Sequence, residues 1–499
     1  MSQRRTRVTH LFISREYPPA SYLPGGIGTY LCHIARLLAG TGDTVHVIAH
    51  RWTGAPRARE EALDGRLIVH RVGLAGEDAV GRALIASTFP AQAFSWQAAL
   101  LAERLIDSEG IDVIEAQEWE APLYYMQLKR ALGLGPARRP PCVVHLHSPS
   151  EHIFAANDWD TAVADYQPAV AQEAYSIGAA DALLCPSRYV AEQAMRRYRI
   201  DPTRLTVIPY PLGDAEPVQR TSEAWSSGSI CYIGRLELRK GVVELADAVA
   251  SIADEHPGLK IELVGRDTPF DATGGRTAGD EVRARLPQRV RQRVRFHGHR
   301  DRAGLREVLS RSWAAVVPSR WDNLPYSCIE AMCSGIPVVA TPTGGMRELI
   351  EDGRSGWIAP DATPAGIAAA LRRALATTPA DRERMGCAAA DAVSRLCGNA
   401  HIVAQHRTLK GRVVCAPHPC PVMDLDDLIQ EATRISPTPL RYSSMAQGLR
   451  RLHMPLMRWL LACAPADQRA FVREGLRHPA RSARWLASQA RLQWQSQAD

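Results

Sequence analysis

Short apolar runs alternate with amphipathic segments through the first part of the chain. The apolar runs are typical of buried strands and lie at residues 8–14, 43–50, 66–72, 112–117, 142–148, 180–187 and 204–210. Apolar residues at helical spacing separate several of these runs, most clearly over 27–39 and 91–106. Continuous apolar strands that alternate with helices predict a parallel sheet covered by helices on both faces.

The alternation restarts after residues 211–228, where proline, serine, glutamate and glycine are frequent, as is typical of a linker. Beyond this segment, strands are predicted at 229–235, 260–266, 293–299, 313–319 and 337–342. The sequence therefore predicts an α/β fold of two doubly wound, Rossmann-like domains, over 1–210 and 229–398. The carboxyl ends of their sheets are expected to face each other across a ligand-binding cleft.

The composition is that of a folded protein with more than one core. The chain has 499 residues, which exceeds one compact domain, and 46% of them are hydrophobic, which exceeds the content of disordered chains. No apolar run is long enough to span a membrane, and the start of the chain lacks the apolar core of a signal peptide. Eleven scattered cysteines, an odd number, favour a reducing, cytoplasmic location.

The positive charge is concentrated at the carboxyl-terminal end, where residues 412–499 are predicted to form a basic helical tail. Ten arginines and three acidic residues follow residue 440, and they account for the whole formal net charge of +7. Tryptophans and regularly spaced leucines over 441–499 predict an amphipathic helix. Such a helix would lie on an anionic membrane surface, pack on the body or bind a partner. Nucleic acid binding is not expected, because no recognition module accompanies the charge.

One short segment carries three potential zinc ligands, Cys415, His418 and Cys420. Structural zinc requires four ligands in recognisable pairs, and no fourth ligand is close in the sequence. The acidic run over 424–427 lies beyond the two predicted domains and is typical of a solvated helix start. No metal site is therefore predicted.

Glycines come directly before the first predicted helix, in the sequence GGIG over 25–28. Free amides at a helix start attract an anion, and glycine lets the backbone approach it closely. The segment does not match a dinucleotide fingerprint, because Leu31 stands where a third glycine is required and no acid ends the second strand. It indicates either an anion-binding loop or a permissive turn.

Two cations follow the first strand of the second half. Arg235 comes directly after that strand, and Lys240 lies five residues later, before a helix. Beside a cleft, these side chains can clamp a diphosphate, the arginine as a fork and the lysine as a point charge. The alternative is that both are solvated surface charges. Arg239 is expected to be exposed.

The sequence WDNLPYSCIE over 321–330 places two acids in an otherwise apolar stretch. Asn323 is expected to cap a helix whose first turn contains Pro325, so that the following amides face a phosphate. Asp322 precedes this helix and Glu330 lies two turns along it, so each can accept hydroxyl hydrogens from a different part of one ligand. The alternative is an acid that favours the helix dipole and a surface glutamate.

Further candidates lie at other element ends. His147 follows a strand of the first half and can donate a hydrogen bond to a hydroxyl or phosphate, or serve only in packing. Glu115 and Glu118, near another strand end, are candidate acceptor contacts. Glu348 follows a glycine pair and is expected to cap the start of its own helix.

Taken in order, these segments resemble the GT-B glycosyltransferases, specifically the retaining family 4 type. The resemblance covers roughly residues 7–410, and its most specific part is the E-x7-E motif, present here as Asp322-x7-Glu330. The segments GGIGTY and GRLELRKG and the strand end at His147 agree with it. In this family a helix crosses back to the first domain, which the resemblance assigns to residues 399–411.

The resemblance also implies roles for individual residues. Arg235 and Lys240 would clamp the donor diphosphate, Glu330 would hold the ribose, and Asp322 would hold hydroxyls of the donor sugar. His147 would lie near the transferred sugar. The remaining donor contacts, mostly from the backbone, would come from Gly26, Asn323, Leu324, Pro325, Tyr326 and Ser327.

The expected function is retaining transfer of a sugar from a nucleoside diphosphate sugar to an acceptor hydroxyl, without metal or cofactor. The alternatives are a nucleotide-sugar epimerase, a phosphorylase, for which no pyridoxal-phosphate lysine site is located, and a non-catalytic, membrane-associated scaffold. One departure from the family matters. Asp322 is one methylene shorter than the usual glutamate, so either its loop lies closer to the ligand or the donor sugar sits differently.

Overall fold

The computed structural model describes residues 7–19, 25–52, 57–74, 78–270 and 275–416. The predicted zinc ligands His418 and Cys420, the acidic run at 424–427 and nearly all of the basic tail lie outside these residues. Cys415 is exposed at the end of the last described helix. Of the helices in the described ranges, none is both long and apolar enough to cross a membrane.

The amino-terminal domain is built on an eight-stranded sheet in the order β3-β4-β2-β1-β5-β6-β7-β8. Its strands are β1 Thr9–Ile13, β2 Thr44–His50, β3 Arg59–Ala62, β4 Leu67–Val72, β5 Val113–Gln117, β6 Cys142–His145, β7 Ala182–Cys185 and β8 Leu205–Val207. Seven strands are parallel, as predicted. The exception is β3, an exposed, polar edge strand that pairs antiparallel with β4 and that the apolar pattern does not reveal.

Helices cover both faces of this sheet. They are α1 Gly26–Gly40, α2 Ala79–Ile85, α3 Gln92–Glu109, α4 Tyr124–Ala131, α5 Ser150–Ala156, α6 Tyr166–Gly178 and α7 Arg188–Tyr198. The strands are almost completely buried between them, which is why they read as continuous apolar runs.

The carboxyl-terminal domain has a six-stranded parallel sheet in the order β11-β10-β9-β12-β13-β14. Its strands are β9 Ser229–Ile233, β10 Ile261–Val264, β11 Val294–Gly298, β12 Ser312–Val317, β13 Val338–Ala340 and β14 Gly356–Ile358. Since β9 and β12 are neighbours, the loops after them emerge side by side at the carboxyl edge of the sheet.

The helices of the second half are α8 Ser222–Ser227, α9 Val242–Ile252, α10 Ala278–Arg285, α11 Gln288–Arg291, α12 Arg302–Ser310, α13 Tyr326–Cys333, α14 Met346–Leu349, α15 Pro364–Ala376, α16 Pro379–Cys397 and α17 Asn399–Cys415. Thus the segment predicted as a linker contains one helix, α8. Gly241 joins the loop after β9 to α9 with φ 68°, and a Cβ there would lie 1.8 Å from the carbonyl oxygen of Pro318. This glycine therefore lets the loops after β9 and β12 touch.

Helix α17 crosses back to the amino-terminal domain and places a charged side chain in its core. The Lys410 ammonium lies 2.8 Å from the Glu115 carboxylate, and both side chains are almost fully buried. The Tyr30 hydroxyl donates to the same carboxylate at 2.6 Å. Burial alone would raise the pKa of Glu115, but Lys410 and the hydrogen bond from His145 outweigh it and hold the pKa well below its usual range.

Replacing Lys410 with methionine should destabilise the fold, because it leaves the Glu115 carboxylate buried without its counter-charge. We expect a loss of about 3–5 kcal/mol, seen as a lower midpoint of thermal unfolding. The matched control is Lys260→Met, which removes an exposed lysine and should leave the midpoint nearly unchanged. Adding Glu115→Gln to Lys410→Met should restore part of the loss. Equal unfolding midpoints for Lys410→Met and Lys260→Met would contradict the structural role of the pair of Lys410 and Glu115.

Candidate active site

The loop after β9 carries the predicted cations. Arg235 is 45% exposed, and its guanidinium lies 3.4 Å from the Glu237 carboxylate. Arg239 is buried, contrary to the prediction that it is exposed, because it forms an ion pair with Glu237 at 2.8 Å and reaches Asp322 at 3.6 Å. Its backbone N–H donates to Asn157 of the other domain at 2.9 Å. The 3-10 turn Leu238–Lys240 then directs Lys240 toward the loop after β12.

Asp322 is the point at which the two loops meet. Its carboxylate accepts from the Lys240 ammonium at 2.6 Å, from the Ser319 hydroxyl at 3.2 Å and from the backbone N–H of Asn323 at 3.0 Å. Burial would raise the pKa of Asp322, but Lys240 and Arg239 lower it below the usual range. Asp322 is therefore an ionised, buried carboxylate between two cations.

The sequence analysis predicts that Asn323 caps the following helix, and this prediction is wrong. Pro325 is the residue that precedes α13, and it provides no side-chain cap. The Asn323 side chain instead enters the amino-terminal domain. Its amide nitrogen donates to the carbonyl oxygen of His147 at 2.7 Å and to the Tyr210 hydroxyl oxygen at 3.2 Å. Its amide oxygen accepts from the Ser187 hydroxyl at 3.3 Å. The side chain thus joins the two domains.

The rest of the predicted donor segment lies beside this junction. Leu324 is buried against Gly345, Tyr326 opens α13, and Ser327 and Glu330 are half-buried on that helix. Gly345 donates its backbone N–H to the carbonyl oxygen of Asn323 at 2.5 Å. The glycine pair at 344–345 therefore supports the segment from behind.

His147 is buried at the end of the loop after β6. Its Nδ1 lies 2.5 Å from the Tyr210 hydroxyl, and its backbone N–H lies 2.8 Å from the Glu118 carboxylate. Burial lowers the pKa of His147 well below its usual value, and the neighbouring His145 adds to the effect. The ring is therefore neutral at physiological pH.

The two candidate acceptor residues are both engaged inside the domain. Glu118 accepts the backbone N–H groups of His147 and Ser148, so it shapes the loop that carries the histidine. Burial raises the pKa of Glu118 to about 7, although these hydrogen bonds oppose the rise. Glu115 is bound by Lys410 and Tyr30. Both carboxyl groups hold the protein structure around His147.

Glu330 differs from the other acids of the site. Arg302 is the charged residue that opposes the effect of burial on its pKa, and no hydrogen bond to its carboxylate is found within the described part of the chain. Burial raises the pKa of Glu330 to about 7. A half-buried carboxylate on a helix beside the interdomain surface is suited to accept hydroxyl hydrogens from a ligand.

The backbone N–H groups of the glycine loop before α1 bind Glu16, a residue that the sequence analysis did not select. The Glu16 carboxylate accepts the backbone N–H groups of Gly25 and Gly28, each at 3.2 Å, at the start of the helix that contains Gly26. Burial raises the pKa of Glu16, while Arg235 of the other domain is among the groups that lower it. An acid that precedes a glycine loop is the signal that could have indicated this contact.

Glu348 caps a helix of the other domain and not its own. Its carboxylate accepts the backbone N–H groups of Arg188 and Tyr189 at 3.0 and 3.1 Å, at the start of α7. The sequence gives no signal for this contact, because the partner lies 160 residues away. These two hydrogen bonds join the domains in addition to those of Asn323 and Arg239.

The structure thus brings Arg235, Lys240, Asp322 and His147 to one surface between the domains, with Glu330 on the adjoining helix. No group of three or more His, Cys, Asp or Glu side chains suited to a metal ion occurs in the described portion of the chain. Tyr210 is the main residue that sequence reasoning missed. Its ring stacks on Tyr326 with centroids 5.0 Å apart and an angle of 2°.

Each half of the chain matches a model of a known family. Residues 24–212 match Glycosyltransferase Family 4, and residues 227–377 match Glycosyl transferases group 1. The glycogen synthase of Mycobacterium tuberculosis is 26% identical over 76% of this chain and 88% of its own length.

Solved structures show the same fold. Sucrose-phosphate synthase from Thermosynechococcus elongatus superposes with a TM-score of 0.65 at 20% identity, over 82% of this chain and all of its own. The Anabaena protein HepE, in complex with UDP and glucose, gives a TM-score of 0.57 at 17% identity, over 80% of this chain and 98% of its own. Together with the order of the two parallel sheets and the crossing helix, these matches confirm the GT-B prediction. The chain is a glycosyltransferase of the GT-B type, with a family 4 domain followed by a group 1 domain.

Proposed function

We propose that this glycosyltransferase moves a sugar from a nucleoside diphosphate sugar to an acceptor hydroxyl with retention of configuration. The observation that carries the proposal is the contact between Lys240 and Asp322, at 2.6 Å, directly before Asn323, whose side chain contacts the His147 carbonyl oxygen. It joins a cation suited to a diphosphate with an acid suited to sugar hydroxyls. HepE, which binds UDP and glucose, supports a uridine nucleotide as the first donor to test.

Donor binding would exchange the partners of this ion pair. The diphosphate would take Lys240 together with the half-exposed Arg235, and the sugar hydroxyls would take the Asp322 carboxylate. Arg239 would remain beside Asp322 and keep it ionised. The backbone N–H groups at the start of α13 would add to the binding of the phosphate, and Glu330 would accept from the ribose hydroxyls.

The chemistry then requires charge stabilisation on the leaving diphosphate. Arg235 and Lys240 lie on a rigid loop before the reaction starts, so little reorganisation is required as charge develops. Asp322 is not free to act as a nucleophile in this arrangement, because its carboxylate accepts from the sugar hydroxyls and stays beside Arg239. We propose that the acceptor attacks from the face that the diphosphate leaves, and that a diphosphate oxygen takes its proton. This mechanism needs no metal ion or bound cofactor.

The similar proteins include a glycogen synthase and a sucrose-phosphate synthase. We propose that a glycan, a lipid-linked sugar or a small molecule is the acceptor. A screen should include members of all three classes, with and without the segment 441–499 if vesicles are present.

Replacing Lys240 with alanine should slow donor cleavage about 10²–10³-fold, because one preoriented cation is lost from the leaving group. The measurement is release of nucleoside diphosphate from a panel of nucleotide sugars. The control is Lys260→Ala, which removes an exposed lysine far from the site in sequence. Unchanged release by Lys240→Ala in an otherwise active enzyme would sink the assigned role.

Replacing Asp322 with glutamate tests whether the shorter side chain selects the donor sugar. We expect the variant to stay folded and to retain activity, because charge and sequence spacing are kept. Its order of preference among donor sugars should change, since the added methylene moves the carboxylate toward the sugar. The ratio of kcat/KM values across the donor panel measures this. An identical ranking in both proteins would show that Asp322 does not set sugar identity.

Donor affinity should depend on the ionisation of Glu330. The carboxyl group has a pKa of about 7 in the free protein, and only its ionised form accepts two hydroxyl hydrogens. Calorimetry should therefore show affinity rising from pH 6 to pH 8. In Glu330→Gln the affinity should be about tenfold weaker at pH 8, because the loss of one hydrogen bond to a charged group reduces binding by about that factor. The affinity of this variant should also lose the pH dependence. Glu383→Gln, an exposed residue, is the control; an unaltered pH dependence in Glu330→Gln would refute the assignment.

A further inference from the structure

A short chain of buried side chains connects the carboxyl-terminal domain to the His147 ring. Asn323 donates to the Tyr210 oxygen at 3.2 Å, and the Tyr210 oxygen lies 2.5 Å from Nδ1 of His147. All three residues are at least nine-tenths buried. Asn323 belongs to one domain and the other two residues belong to the other, so the chain of hydrogen bonds is complete only when the domains are in contact.

The orientation of the Asn323 amide is fixed by its neighbours. The carbonyl oxygen of His147 lies 2.7 Å from the amide nitrogen and that of Leu146 lies 3.3 Å away, and both can only accept. If the amide were flipped, its oxygen would face these two oxygens. The Ser187 hydroxyl lies on the opposite side and donates to the amide oxygen at 3.3 Å. Asn323 therefore donates to Tyr210 and does not accept from it.

This direction determines where the Tyr210 hydroxyl proton goes. The oxygen of Tyr210 already accepts from Asn323, and its nearest acceptor among the described residues is Nδ1 of His147. If His147 carried its own proton on Nδ1, the buried Tyr210 O–H would face another donor and lose its partner. Such a loss costs about 1–3 kcal/mol, which is enough to disfavour that form.

We propose that Tyr210 is a positioning residue that holds His147 in the neutral form with its proton on Nε2, and that Asn323 imposes this state when the domains close. The proposal rests on the proposed function, in which His147 lies near the transferred sugar. With the proton on Nε2, His147 donates to a sugar hydroxyl oxygen. With the proton on Nδ1, Nε2 could only accept, so the hydrogen bond to the sugar hydroxyl would be reversed and would no longer draw electron density from the hydroxyl oxygen.

The surroundings of His147 are compatible with a neutral ring on every side. From its own strand region, the His145 ring packs at a tilt with a centroid distance of 4.0 Å, and it accepts no proton readily, since burial lowers its pKa. Tyr30 of α1 packs at 5.2 Å, and Glu118 below the loop is bound by backbone N–H groups. Glu115 favours a charged His147 ring, but Lys410 of α17 neutralises the Glu115 carboxylate.

Asp322 and Tyr326 face Tyr210 from the other domain. The Tyr210 hydroxyl is thus the group that decides which ring nitrogen is protonated.

The stacked pair of Tyr210 and Tyr326 makes a clean substitution possible. Tyr210→Phe keeps the ring on which Tyr326 packs and removes only the hydroxyl. Without that donor, Nδ1 of His147 can take a proton, so both neutral tautomers become accessible, while burial and His145 still keep the ring uncharged. We expect kcat/KM for the donor to fall about tenfold at pH 8, because the Nε2 proton that donates to the sugar is no longer held in place.

A direct readout uses nitrogen-15 NMR of histidine-labelled, full-length protein, with the His147 signals assigned by their loss in His147→Gln. The unsubstituted protein should show a proton on Nε2 alone, and Tyr210→Phe should show a mixture. Tyr198→Phe, which changes a buried tyrosine of α7 in the same domain, is the control and should alter neither the signals nor kcat/KM. If Tyr210→Phe leaves the tautomer unchanged, Tyr210 serves only in packing and the proposal is overturned.

A double-mutant cycle tests the contribution of Asn323. If Asn323 acts through Tyr210, then Asn323→Ala combined with Tyr210→Phe should reduce kcat/KM no further than the more harmful single variant. Strictly additive losses would show that the two residues act separately, against the proposal. Should the unsubstituted protein cleave no nucleotide sugar at all, the proposed function fails. The tautomer measurement still reports on Tyr210 in that case, so the two failures can be told apart.

Discussion

A buried carboxylate between two cations is the interaction on which the site depends. Asp322 could not be ionised in the interior alone, because removing its charge from water costs several kcal/mol. Lys240 and Arg239, with one hydroxyl and one backbone N–H, make the ionised form stable. The cations follow β9 and the acid follows β12, and these strands are neighbours in the sheet. The site is therefore a consequence of the parallel topology, which brings the two strand ends together.

The same loop also fixes how the two domains meet. Residues directly after Asp322 enter the amino-terminal domain, where Asn323 contacts His147 and Tyr326 stacks on Tyr210. Glu348 and Arg239 add contacts to the backbone of α7 and to the end of α5. Any movement that opens the domains must break these contacts together, and any movement that closes them assembles the site. Closure of this kind excludes water from a reactive donor, which limits hydrolysis.

Much of the fold follows from periodicity in the sequence, and much of the site does not. The parallel strands were predicted because burial on both faces makes each one a continuous apolar run, while the polar edge strand β3 gave no such signal. Residues at strand ends, such as Lys240 and Asp322, were found because their spacing places them at one edge of the sheet. Arg239, Asn323 and Glu348 were assigned local roles, and the structure gives them partners in distant segments. Local patterns predict local capping and exposure, but they contain no information about which distant backbone groups lack partners.

Aspartate in place of the longer glutamate fits the way this loop is supported. Gly344, at φ 70°, lies so close behind Asp322 that a Cβ on it would be 2.3 Å from the Asp322 carbonyl oxygen. The backbone of 322–323 is therefore held from behind by the glycine pair and in front by Asn323, which is bound inside the other domain. Because the loop is fixed on both sides, a longer acid would extend its carboxylate toward the ligand and would not move the loop back. With aspartate, the carboxylate reaches Lys240 at 2.6 Å without displacing the loop. The short side chain thus lets two successive residues act together: Asp322 binds the cations, and Asn323 forms hydrogen bonds to the other domain.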